Sequence, residues 1–328
     1  MTHAPADRAA APLRTDDRLV YAPLPGRPPV RWPEGRTLAV WHAPNVEHYD
    51  FVPPGGVSPQ GRVAAPDVQH YMHRDFGNRV GFWRVLELAR RYEIPSTVSL
   101  SLMLLEEAPE IREAILAAGW EVMSHGISNL RPLYGFDEAA ERAFLEQSLA
   151  LTRRYLGRNL AGMLGPKISG TDLTTDLMAE HGMIYHADWI HDEQPRPLRT
   201  RGGGRLVSMP YSYMLNDVPM LHARSHPGHV LVELVRAQVN RQLADAERDG
   251  QGRVACVATH PFLMGQPHLV GHLEEIFEIL RSDDRIWLAT AQEIAEHYLA
   301  HSYDDQLAHA QELADRHRAR LAPARSAS

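Results

Sequence analysis

With 328 residues, of which 44% are hydrophobic and 23% charged, the chain has ordinary globular composition and enough apolar content for a sizeable core. A formal charge of -7, with no stretch that interleaves Lys or Arg with aromatics, excludes a nucleic-acid groove. The single cysteine, Cys256, excludes an intramolecular disulfide, and no run of about 18 apolar residues is present to span a membrane.

Residues 1–17 are rich in Ala, Pro and Arg and are expected to be a disordered tail. They hold no apolar run of signal-peptide length, which points to a cytoplasmic protein. One domain is expected over 18–300. "RTLAVWHAPNVEH" reads as the first core strand, and the Pro- and Gly-rich "YDFVPPGGVSPQGRVAAPDVQHYMH" as a long loop, a candidate lid over residues 52–73. "GNRVGFWRVLELARRYEIP" predicts an amphipathic helix stopped by Pro95, with Trp83 and Leu86 in the core along with the methionines.

Strand and helix patterns then alternate. "STVSLSLMLL" and "WEVMSH" read as strands around the helix "APEIREAILAAG", and "DEAAERAFLEQSLALTRRYLG" is a helix with an acidic first turn and a basic last turn. "LAGMLGPKISG", "MIYHADW", "GRLVSMPYSY", "RVACVATHP" and "RIWLAT" supply further strands, with helices between them; residues 217–229 are less readable. Such alternation means a parallel sheet, and this many units favour an α/β fold closed or nearly closed as a barrel. The tail at 301–328 is expected to be a solvated helix with a frayed end, in which Leu307, Leu313 and Leu321 stand among charges.

In α/β barrels the reacting groups gather at the C-terminal ends of the strands, because the loops there converge. The polar residues at those ends are Glu47 and His48, His125 with Asn129, Asp188 with Trp189, and His260. A carboxylate can take a proton from water and a histidine can return one to a departing nitrogen, so this inventory suits hydrolysis of an acyl–nitrogen bond. Each residue also has a structural alternative: Glu47 could pair with Arg74 or Arg79, and Asp188 could orient rather than react. Cys256, among apolar neighbours, reads as an inert buried thiol.

The segments "RPPVRWPEGRTLAVWHAPNVEH", "RDFGNRVGFWRVLELARRYEIPSTV", "GWEVMSHGISN", "LTTDLMAEHGMIYHADW", "LVSMPYSYMLND", "THPFLMGQPH" and "IWLATAQEIA", in this order, resemble the polysaccharide-deacetylase family. The resemblance runs from about residue 20 to residue 300 and is nearest to a cytoplasmic branch of metal-independent allantoinases, cyclic-imide hydrolases and peptidoglycan-deacetylase-like proteins. It implies a distorted (β/α)7 barrel and hydrolysis of an amide or imide C–N bond. It also implies that Glu47 is the catalytic base, that His125 takes the place of the first metal-ligating histidine, and that His260 is the proton donor to the leaving group. Three departures stand out. No second carboxylate sits beside Glu47, and Asn129 replaces the second metal-ligating histidine; the third motif's arginine is also absent from "GPKIS", with Lys167 only nearby.

A neutral asparagine is a poor zinc ligand. The expectation is therefore a small-molecule hydrolase acting on a cyclic imide, ureide or amide, with no cofactor favoured; if Zn2+ or another divalent metal is used, Glu47, His125 and Asn129, with His48 as a substitute, are the ligands. Glu47 takes the proton of the attacking water, His125 and Asn129 stabilise the oxyanion, and His260 protonates the nitrogen. Arg79 or Arg131 would hold a substrate carbonyl or carboxylate, and Trp189 or Tyr134 would cover a flat ring. The alternatives are a zinc-dependent N-deacetylase of a small N-acyl or sugar substrate and a non-catalytic binding protein. Expected partners are the substrate and a further copy of the chain in a homo-oligomer, with neither nucleic acid nor membrane.

Overall fold

The computed structural model describes residues 18–56 and 64–321. The expected N-terminal tail, residues 57–63 of the expected lid and the chain's last seven residues lie outside them. At its centre is β1 (Leu38–Val46), buried along its whole length. Leu38, Val40 and Val46 enter the layer between sheet and helices, while Ala39, Trp41 and Ala43 fill the barrel interior. A strand covered on both faces needs apolar residues at consecutive positions, which is why this segment reads as a continuous run.

In chain order there follow α1 (Val68–Phe76), a π-helical turn (Gly77–Gly81), α2 (Phe82–Arg91), β2 (Thr97–Leu100), α3 (Leu104–Glu107), α4 (Pro109–Ala117), β3 (Glu121–Ser124), α5 (Glu138–Leu156), β4 (Gly162–Met163), α6 (Thr174–Glu180), β5 (Tyr185–His186), β6 (Arg196–Leu198) and β7 (Leu206–Ser208). A second π-helical turn (Val218–Ala223) leads to α7 (Gly228–Asp249), β8 (Arg253–Thr259), α8 (Pro261–Met264), α9 (Val270–Arg281), β9 (Ile286–Leu288), α10 (Ala291–His301) and α11 (Tyr303–Leu321).

The strands lie in the order β6-β7-β5-β4-β3-β2-β1-β8, and β9 pairs with the first residues of β1. All neighbours are parallel except β6 and β7. The α/β barrel expected from the sequence is present, but as a curled, incomplete one. Between β7 and β8 no ladder forms, and that seam is spanned by one bridge, Asn216 to Ala258.

Three local expectations are corrected. The segment read as a loop through residue 73 contains α1, capped by the Asp67 side chain on the His70 N–H. Trp83, Met72 and Met214 are exposed rather than core. The terminal helix is not merely solvated: Gln306, Ala310 and Ala314 are buried, Val20 packs on the two alanines, and Arg196 donates to Gln306. Cys256 faces the barrel interior, and burial pushes its thiol pKa well up, as an inert thiol requires. Among the described residues no helix is long and apolar enough to cross a membrane.

Candidate active site

Glu47 is the first residue beyond β1, and the ends of two other strands deliver the groups that meet it. β3 ends at Ser124 and β8 at Thr259, so His125 and His260 are the first side chains to leave their strands. The chain turns away after His125 through Gly126, whose φ of +72° suits glycine and whose added Cβ would lie 2.9 Å from Pro166 Cγ. The structure brings all three predicted residues together and buries them: His125 Nε2 is 3.4 Å and His260 Nε2 3.8 Å from Glu47 Oε1.

The surrounding hydrogen bonds fix the orientation of each group. Asn129 Nδ2 donates to Glu47 Oε1 at 2.7 Å and also meets the Tyr49 hydroxyl, which itself donates to Glu47 Oε2 at 2.9 Å. Asn129 therefore spends its amide hydrogens on orienting Glu47, and the expectation that it donates to an oxyanion is corrected. Its Oδ1 is buried without a partner. His125 Nδ1 faces the Leu164 carbonyl at 3.1 Å, and because a carbonyl only accepts, that nitrogen carries a proton.

His260 is gripped by Asp217, a fully buried carboxylate that accepts from the His260 backbone N–H at 2.7 Å and from Nδ1 at 2.6 Å. Sequence reasoning missed Asp217, although it ends the quoted segment "LVSMPYSYMLND". The bond from the Ala258 N–H to the Leu215 carbonyl and the adjacent bridge at Asn216 set it beside the end of β8.

These contacts set opposite charges on the two groups. Burial alone would raise the Glu47 pKa, but the charges of His260, His125 and Arg74 outweigh it and hold the carboxyl down to about 2. Burial likewise disfavours the His260 imidazolium, but Asp217 and Glu47 more than offset it and raise its pKa above the usual histidine value. Tyr49, half-buried beside Glu47, is pushed well above the usual phenol range by desolvation and by the Glu47 charge and stays a donor.

The site opens into a cavity of about 310 Å³. Its wall includes Arg74, Lys167, Leu164, Ile168, Val218 and Pro219. The π-helical turn after α1 packs against the His260 segment because of its glycines: a Cβ on Gly81 would sit 2.0 Å from the Pro261 carbonyl oxygen and one on Gly77 2.8 Å from the Phe262 nitrogen. Asn78 ties the same turn to the Glu47 carbonyl at 2.9 Å. Such π-insertions are frequent at functional sites.

The other predicted residues stand outside this cavity. Arg79 is exposed and paired with Asp75; Arg131 pairs with Asp50 at 3.2 Å near the surface; the Trp189 indole donates to His186 at 3.2 Å. Asp188 accepts from the N–H groups of Gly165 at 2.6 Å and Gly170 at 2.8 Å. It thereby staples the loop that holds Lys167 and Ile168 at φ values of +58° and +55°, a left-handed conformation costly for a β-branched residue. Asp188 positions the cavity wall rather than touching its contents. Tyr134 is exposed and its hydroxyl donates to the Lys167 carbonyl at 3.3 Å.

The donor set does not suit a metal ion. Among the described residues no group of three or more His, Cys, Asp and Glu side chains is arranged to hold one. Asn129 points an N–H, not its carbonyl, at the Glu47 oxygen nearest His125. His48, the suggested substitute, is turned away to Glu107 at 2.8 Å.

No protein-family model matches the chain. A peptidoglycan deacetylase of Helicobacter pylori is 24% identical over 251 residues, which cover 68% of this chain and 85% of the relative. Among solved structures, a polysaccharide-deacetylase-like protein of Mycobacterium smegmatis is similar with a TM-score of 0.71 and 26% identity, over 84% of this chain and 94% of that one. The Puue allantoinase has the same TM-score at 21% identity, over 83% and 93% of the two chains.

Proposed function

We propose that this chain, which belongs to the polysaccharide-deacetylase superfamily, is a hydrolase that opens a non-peptide C–N bond in a small cyclic imide or ureide, with Glu47 as base and His260 as acid. The observation that carries this reading is the pair itself. An ionised carboxylate and a histidine held protonated by Asp217 lie 3.8 Å apart at the mouth of the barrel.

Water adds to the substrate carbonyl as its proton passes to Glu47. His125, whose Nε2 lies 3.4 Å from Glu47 Oε1, is placed beside the developing oxyanion. When the C–N bond breaks, His260 Nε2 gives its proton to the nitrogen, and transfer of the proton from Glu47 back to His260 resets both groups. The charges that lower the Glu47 pKa weaken it as a base, so an intrinsically electrophilic carbonyl suits this site best. Imides and ureides meet that condition better than a sugar acetamide does.

A deacetylase is the reading suggested by the name of the H. pylori relative, and the orientation of Asn129 weighs against a zinc-dependent one here. A non-catalytic binding protein would have no need of both a base and an acid in working protonation states. The test is metal content of the purified protein together with hydrolysis of hydantoins, succinimide, allantoin and N-acetyl compounds before and after chelation. Ring opening that survives chelation is expected. Stoichiometric zinc with activity lost to the chelator overturns the reading in favour of the deacetylase.

A further inference from the structure

Arg74 stands in the last turn of α1 and lines the cavity together with Glu47. Its guanidinium lies 3.9 Å from the Phe262 ring centroid and 5.4 Å from that of Tyr49, contacts that hold the planar fork in place. Three other buried or half-buried arginines have carboxylates: Arg18 has Asp176, Arg27 has Asp192 and Arg253 has Asp249. Arg74 makes neither an ion pair nor a side-chain hydrogen bond among the described residues, and its Nε is buried without a partner. Glu47 makes no ion pair with it and accepts instead from Tyr49 and Asn129. Leaving such donors unpaired is costly unless a ligand satisfies them.

The rest of the cavity agrees in charge and size. Glu47 and Asp217 are each answered by an imidazole, whereas Lys167, a second permanent cation on the wall, has no ion pair among the described residues. The volume is at the small end of ligand cavities, and Leu164, Ile168, Val218 and Pro219 make its apolar walls.

We infer that Arg74 is a specificity residue that binds a carboxylate, so the substrate is an acid whose carboxylate sits a short arm away from the scissile C–N bond. A guanidinium fork matches two carboxylate oxygens at once, whereas a neutral ring leaves it unsatisfied. This inference rests on the hydrolase reading for the word substrate, but not for the subsite.

The test uses a matched pair, hydantoin-5-acetate and its methyl ester, with the wild-type protein, Arg74→Gln and Arg74→Lys. Wild type is expected to show a KM about 10- to 100-fold lower for the acid than for the ester, as a charge-assisted pair allows. Arg74→Gln is expected to abolish that difference, with any change in kcat that comes through Glu47 shared by the acid and the ester, and Arg74→Lys to restore part of it. Equal KM values in wild type, or a preference for the acid that persists in Arg74→Gln, overturn the inference while the hydrolase reading stands. If neither ring is opened, that reading fails, and calorimetric titration of the same two compounds decides the subsite alone. Binding of the acid that is lost in Arg74→Gln, with thermal melting unchanged, supports it, and no preference for the acid overturns it.

Discussion

Replacing Asp217 with asparagine isolates how His260 is kept acidic. The carboxylate accepts two hydrogen bonds from one residue, at 2.7 Å from the backbone N–H and 2.6 Å from Nδ1. An asparagine of the same shape can accept only one of them; with its carbonyl on the backbone N–H, its amide faces the ring nitrogen and favours the neutral imidazole. A hydrogen bond to a charged group is worth roughly 1.5–3 kcal/mol, and one pKa unit is about 1.4 kcal/mol, so the His260 pKa is expected to fall by about 1–2 units. The proposed mechanism needs Glu47 ionised and His260 protonated, so kcat/KM falls as pH rises through the His260 pKa. In Asp217→Asn that alkaline limb moves down by the same 1–2 units, and the loss of activity is about 10- to 100-fold larger above the limb than below it. The stability term has the same origin: a raised histidine pKa stabilises the fold fully below pH 6.5 and ceases to do so as pH climbs past the folded value. A pH–rate profile of both proteins, with melting curves as a control, is the assay. An unmoved alkaline limb, or a loss of the same size at every pH, refutes the assignment of Asp217 as the group that positions and charges His260.

Glu47→Gln is expected to lower kcat by about 10²–10⁴-fold with KM nearly held, measured by steady-state kinetics on a folded variant. The same variant tests the carboxyl's linkage to folding: the native pKa of about 2 against an ordinary 4.5 is stability of about 3 kcal/mol that is present above pH 4.5 and drains away as pH falls towards 2. Wild type should therefore lose more melting temperature than Glu47→Gln between pH 5 and pH 3. Asn129→His places a third nitrogen or carboxylate donor beside Glu47 and His125, and elemental analysis should show zinc bound by the variant well beyond the amount found in wild type.

What could be read in the sequence was what burial writes into it. β1 is covered on both faces and ends in polar residues, so both the strand and the position of Glu47 at its tip were visible, and the same holds for His260 after β8. The helix α1 was invisible for the converse reason: none of its nine residues is buried, so no apolar period marks it. Only the Pro66-Asp67 pair, a proline followed by a capping residue, signalled a helix start. Arg74, in that unread helix, could be named only as a partner for Glu47, and its stacking on Phe262 joins residues far apart in the chain. Asp217 lay in an aperiodic segment, and its closeness to His260 follows from how the open seam of the barrel is bridged, which no local pattern encodes. Arg79, Arg131 and Trp189 were chosen by residue type, and type does not say that a surface carboxylate or a neighbouring histidine has already claimed them.

Asn129 connects the site's chemistry to its choice of substrate. Where the resemblance implies a ligating histidine, this chain has an amide that donates to Glu47 Oε1 at 2.7 Å, so the carboxylate is held by hydrogen bonds from Asn129 and Tyr49. The positive charge near Glu47 then comes from side chains: His260, kept charged by Asp217, and Arg74, kept in place by two rings. Side-chain cations polarise a carbonyl less strongly than a divalent ion, and the same cations weaken Glu47 as a base. Both effects shift the burden of reactivity to the substrate. An electron-poor carbonyl reduces the demand on the base, and a carboxylate on Arg74 fixes that carbonyl at Glu47 without drawing on the groups that react. On the proposed reading, a site of this composition discriminates against neutral amides twice, once by their low electrophilicity and once by the guanidinium they leave unpaired.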